Sequence, residues 1–91
     1  MSDVVNNARL SRFELTEEGL TAFATYRRHG DRFTIPHVEA PVPLRGKGTA
    51  GRLMAGIAAL ARAQNFKILP TCPYAMAWFR RHPDTTDLLE R

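Results

Sequence analysis

The tightest constraint on this chain is the run Pro41-Val-Pro-Leu-Arg-Gly-Lys-Gly-Thr-Ala-Gly51, where three glycines fall within six residues directly ahead of an apolar-periodic segment. Apolar residues then follow at Ala50, Leu53, Met54, Ile57, Leu60 and Ala61, the three-and-four spacing of one helical face. This spacing predicts a helix over Thr49 to Gln64 that buries Leu53, Ile57 and Leu60, leaves Arg52 and Arg62 to solvent and stops at Asn65. The first N–H groups of such a helix have no acceptor within it, and its dipole places partial positive charge beside them. Gly46, Gly48 and Gly51 let a ligand approach the main chain, while Arg45 and Lys47 add two formal charges. The helix start is therefore expected to take an anion, above all a phosphate.

Two phosphate-binding patterns fail on context. Gly46-Lys-Gly-Thr-Ala-Gly51 satisfies G-x-G-x-x-G, but Pro41 and Pro43 interrupt the run-up where a strand is needed. No acidic residue occurs between Glu39 and Asp84 to hold a ribose. A mononucleotide loop fails too, because Gly48 stands where Ser or Thr is required and Pro41 where Gly is.

A third pattern fits. Arg45-Gly-Lys-Gly48-Thr-Ala50 resembles the Arg/Gln-x-x-Gly-x-Gly/Ala signature of the GNAT superfamily, the acyl-CoA N-acyltransferases. His37-Val-Glu-Ala-Pro before the turn, and Leu69-Pro-Thr-Cys-Pro-Tyr74 with Ala77-Trp-Phe-Arg-Arg-His-Pro83 after it, extend the resemblance to the small single-domain branch, over about the last two-thirds of the chain. The resemblance implies a compact α/β (α+β) fold with antiparallel N-terminal strands, a pyrophosphate-loop helix, a short parallel strand and a C-terminal helix. It also implies acetyl-CoA or CoA as co-substrate, with pyrophosphate at Arg45, Gly46, Lys47, Gly48, Thr49, Ala50 and Gly51. The pantetheine arm would lie along Pro41, Val42, Pro43 and Leu44.

A chain of 91 residues supports one domain, residues 1–91, with 1–8 expected to be flexible. No signal-like N-terminus or long apolar run is present, and the lone Cys72 permits no internal disulfide, so the expectation is a cytoplasmic protein away from membranes. The net charge of +4 raises nucleic-acid binding, but the arginines are scattered along the chain and no RNA-binding aromatic motif accompanies them. A phosphorylated coenzyme accounts for part of the excess.

Alternation predicts strands at residues 9–15, from Leu20 to Arg28 and from Asp31 to Ala40, joined by turns at Thr16–Gly19 and Gly30-Asp31. In the third, Phe33, Ile35 and His37 should share one side while Thr34, Val38 and Ala40 share the other; Pro36 marks an edge or a disturbance. Phe66 to Pro70 should form a strand parallel to it after the helix. A second helix should start at Pro73, capped by Thr71 or Cys72, with Ala75, Trp78 and Phe79 as its apolar stripe. A last turn from Asp84 to Leu89 would have Asp84 as cap and Leu88 and Leu89 inward.

Acetyl transfer from a thioester to an amine needs a neutral nucleophile, a polarised carbonyl and a protonated leaving thiolate. Four candidates emerge. His37 could take the amine proton or orient the substrate, and Glu39, two residues on, shares its face and could act through water. The bland alternative for His37 is a packed, hydrogen-bonded strand residue. Cys72, beside a prospective helix start that favours thiolate, could accept an acetyl group, line the pantetheine or simply be packed. Tyr74 could offer its hydroxyl to the leaving sulfur or serve packing alone. Larger members of the resembled superfamily place a tyrosine in the second helix as general acid, but this chain has Trp78-Phe79 there, so the role is absent or moves to Tyr74.

No metal-binding constellation occurs. The short first half leaves an open acceptor side, suited to a protein or peptide amine or a polyamine. A non-catalytic CoA sensor or interaction module is the alternative use of the same cleft, and exposed strand edges allow either a monomer or a homodimer.

Overall fold

The computed structural model describes residues 3–90. Strands β1 (Val5–Asn7), β2 (Arg12–Glu17), β3 (Leu20–His29) and β4 (Arg32–Glu39) form an antiparallel meander, and β5 (Lys67–Pro70) joins parallel to β4. The sheet order is β1-β2-β3-β4-β5. The parallel pairing of the last two strands requires a crossover, which helix α1 (Thr49–Gln64) supplies.

Period-two patterning selects the covered face. Phe13, Leu15, Ala22, Ala24, Tyr26, Phe33 and Ile35 are buried there, and α1 lays Leu53, Met54, Ile57, Ala58 and Ala61 against them. Rings of Phe13, Tyr26, Phe33 and Phe66 fill the far end, with centroids 4.2–6.1 Å apart. Helix α2 (Pro73–Arg81) adds Ala75, Trp78 and Phe79 to the same core. On the opposite face, Thr16, Thr21, Phe23, Thr25 and Arg27 remain half-buried or exposed.

The expected boundaries of α1 hold, and Asn65 ends it in the left-handed conformation, its N–H returning to the Ala61 carbonyl. Two features near the chain ends differ from expectation. Val5–Asn7, within the segment read as flexible, pairs with β2 as a short edge strand. Asp84 is not a cap: the last 3-10 stretch begins at Pro83, and the Asp84 carbonyl accepts from Arg62. Of the two caps expected for α2, Cys72 holds the cap position, without a side-chain cap bond, while Thr71 turns its N–H and hydroxyl back to the Ile35 carbonyl.

Strand β4 is interior only as far as Ile35, so Pro36 stands at the start of its unpaired side. It also marks a disturbance. Thr25 pairs with His37 and Arg27 with Thr34, so Ile35 and Pro36 together oppose Tyr26 alone. This is a β-bulge, a setting that tolerates a residue without an N–H. The extra residue reverses the facing of everything after it. Val38 and Ala40 pack on the core, while His37 and Glu39 emerge beside Phe23 on the opposite face. The expectation that His37 shares a side with Phe33 and Ile35 is thus corrected.

Candidate functional site

The chain leaving β4 folds tightly before α1. Val42–Leu44 makes a 3-10 turn in which Leu44 and Arg45 give their N–H groups to Pro41 and Val42, and the Leu44 side chain is buried. Pro41, Val42 and Pro43 stay at least partly exposed. Gly46 (φ 79°) and Gly48 (φ 80°) then take the left-handed conformation, which carries a steric cost for any residue with a Cβ. Gly48 occupies the cap position of α1 without any side-chain capping bond. Among the described residues, the N–H groups of Gly48, Thr49, Ala50 and Gly51 have no acceptor. They are the four orphan donors that every helix start leaves, here at the end of an exposed turn.

The basic residues around these amides are already occupied. Arg52 donates through Nε to Glu17 Oε2 at 2.7 Å and through Nη2 to Glu17 Oε1 at 2.8 Å, and also reaches the Lys47 carbonyl at 2.9 Å. The Thr49 hydroxyl donates to Glu17 Oε1 at 2.6 Å. This arrangement holds the Glu17 carboxyl down to about 2, first through the Arg52 guanidinium and then through the Thr49 hydroxyl. Next to it, Lys47 Nζ contacts both oxygens of Glu18 at 3.1–3.2 Å. The tip of the β2–β3 hairpin thereby clasps the first turn of α1. Arg45 is different: its Nε donates to the Ala40 carbonyl, and among the described residues it makes no ion pair.

Beside this turn the sheet opens. Pairing of β4 with β5 ends at Ile35 opposite Pro70, where Thr71 and Cys72 both donate their N–H to the Ile35 carbonyl. From Pro36 onward β4 continues without β5, which has already given way to α2. Cys72, 7% exposed, is the residue before α2. Tyr74 and Trp78, one turn apart on α2, both face the start of α1. A Cβ placed on Gly51 would lie 3.7 Å from Tyr74 Oη and 3.9 Å from Trp78 Nε1, so the glycine permits close approach of the two helix ends.

The structure brings the predicted residues together in two groups. The turn Arg45–Gly51, Tyr74 and Cys72 gather around the starts of the two helices. His37 and Glu39 lie on the open face of the sheet, where His37 Nε2 and Glu39 Oε1 are 3.0 Å apart and both side chains are about half exposed. The His37 ring sits 6.2 Å from that of Phe23. Among the described residues no group of three or more His, Cys, Asp or Glu could hold a metal ion, and no helix is long and apolar enough to cross a membrane.

Sequence reasoning missed Glu17, Glu18 and Trp78. The two acids act on residues 29 to 35 positions away, beyond any local spacing rule, and Trp78 reads as one more member of an apolar stripe. A separate apolar concavity of about 230 Å³, lined by Pro70, Met76, Phe79, Arg80, Thr86 and Leu89, shares no residue with either group.

A profile described as GCN5-related N-acetyl-transferase matches residues 12–88. Among solved structures, the chain is similar to a GCN5-like protein from Staphylococcus aureus determined by NMR in solution, with a TM-score of 0.67 at 20% identity. That match covers 97% of this chain and 87% of the other, and at this identity it speaks to the fold. A search of curated proteins finds no match.

Proposed function

The chain belongs to the GCN5-related N-acetyltransferase family, and on that premise we propose that it binds acetyl-CoA and transfers the acetyl group to an amine presented at the open face of its sheet. The observation that carries this reading is the set of unbonded amides from Gly48 to Gly51 at an exposed helix start. Such a set suits a diphosphate. Members of the family generally take the acetyl group from acetyl-CoA. The gap where β4 outruns β5 offers a path for the pantetheine arm toward Cys72 and His37.

In this reading the amine nitrogen attacks the thioester carbonyl, a C–N bond forms and the C–S bond breaks. His37, hydrogen-bonded to Glu39, removes the amine proton. The departing thiolate is protonated by Tyr74 or by water, and Cys72 lines the arm. The His37–Glu39 pair is half-exposed, which favours a protein or peptide amine or a polyamine over a small molecule.

Isothermal titration with CoA and acetyl-CoA tests the foundation, and no detectable heat at millimolar cofactor would remove it. Thiol release across an amine panel then tests transfer. His37→Ala should lower kcat/KM by about a hundredfold, within the range of general-base removal, while cofactor affinity stays unchanged. Cofactor binding with thiol release at background would instead leave a CoA-sensing module.

A further inference from the structure

Two of the cations beside the proposed diphosphate site are already engaged within the protein. Lys47 is held by Glu18, and Arg52 by Glu17 and the Lys47 carbonyl. Both are drawn toward these partners, and of the turn's cations only Arg45 makes no ion pair among the described residues. Recognition then combines Arg45 with neutral donors, and α2 brings one to the place. Trp78 is 4% exposed, yet its indole N–H bonds to nothing among the described residues. No fully buried polar side-chain atom among the described residues lacks a partner, so the indole nitrogen keeps some exposure, and it lies 3.9 Å from where a Cβ on Gly51 would sit.

The indole is fixed in that direction. His82 stacks on it with ring centroids 3.9 Å apart, Phe79 meets it edge-on at 5.1 Å, and His82 Nδ1–H donates to the Trp78 carbonyl at 2.7 Å. An indole N–H can only donate. Placed beside Gly51 in the first turn of α1, the turn whose free amides can also only donate, it calls for an oxygen that accepts and carries negative charge.

We propose that Trp78, through its indole N–H, is a direct ligand of the cofactor's diphosphate, completing the donor set of the α1 start, while Lys47 and Arg52 act as structural clasps of the turn. This rests on the cofactor reading above. It adds a contact from the second helix, so that the diphosphate lies between the start of α1 and the body of α2.

Trp78 is the chain's one tryptophan, so its emission reports on the site without mutation. The experiment titrates the full chain with CoA, following heat and tryptophan emission together, and repeats the titration on Trp78→Phe and with pantetheine, which has no phosphate. The expected result is an emission change that tracks the calorimetric saturation curve, with CoA affinity about tenfold weaker in Trp78→Phe, the size of one charge-assisted hydrogen bond. Pantetheine affinity should not differ between the two proteins. CoA binding by calorimetry with silent emission would overturn the assignment even if Trp78→Phe failed to fold, and so would equal CoA affinity in the two proteins. No CoA binding to the wild-type chain would remove the cofactor reading itself, a separate outcome.

Discussion

Two glycines carry opposite demands on the same turn. At Gly48, φ is 80° and a Cβ would sit 3.1 Å from Arg52 Nη1, so a side chain there strains the backbone and crowds the Arg52 guanidinium. Gly48→Val should cost about 1–3 kcal/mol and abolish CoA binding. Thermal denaturation would show the cost as a fall of roughly 5–15 °C, with calorimetry showing the lost affinity. Gly51 is helical and has room for a methyl group at ordinary contact distance. Gly51→Ala should therefore stabilise the fold, by up to about 1 kcal/mol, yet weaken CoA binding by filling the gap onto which Tyr74 and Trp78 open. A rise in Tm together with unchanged affinity would show that the gap is not used.

At the level of elements, the β2–β3 hairpin controls how α1 begins. Because the folded-state carboxyl of Glu17 lies at about 2 against an ordinary 4.5, its contribution to stability is fully present above pH 4.5. It is lost as pH falls through about 2. Thermal melts between pH 5 and pH 2 should show this dependence and show it flattened in Glu17→Gln, while equal slopes in both proteins would deny the clasp. How far the elements were legible follows the same division between local and distant effects. Helix α1 was readable because Leu53, Met54, Ile57 and Ala61 repeat on one face and Asn65 can adopt a left-handed stop. Strands β2 to β4 were readable from alternation. Val5–Asn7 was not, since three mostly exposed residues have no pattern to display and pair only because β2 offers an edge. Pro36 announced trouble, but no local rule says that Ile35 and Pro36 would both oppose Tyr26. The turn Arg45–Gly51 was legible as a place for an anion, whereas the carboxylates that restrain its cations were hidden by their distance in the chain.

For the whole molecule, the proposed cofactor site draws on the β2–β3 hairpin, α1 and α2 at once, so it exists only when the chain is folded. A ligand of that kind stabilises by mass action, by about 2.7 kcal/mol at a hundredfold excess over Kd. For a domain of this size that corresponds to a rise in Tm of roughly 10 °C or more, readable by circular dichroism with and without CoA. A Tm indifferent to saturating CoA would contradict such a site. The bulge in β4 sets the chemistry of the molecule's two sides by simple parity. With Pro36 in place, an imidazole and a carboxylate stand outward and Val38 fills the interior; deleting that one residue would exchange them, burying a titratable couple and stranding a hydrocarbon in water. The odd residue, unable to donate a hydrogen bond and replaceable by eye with almost anything, is what makes an outward-facing base available at all.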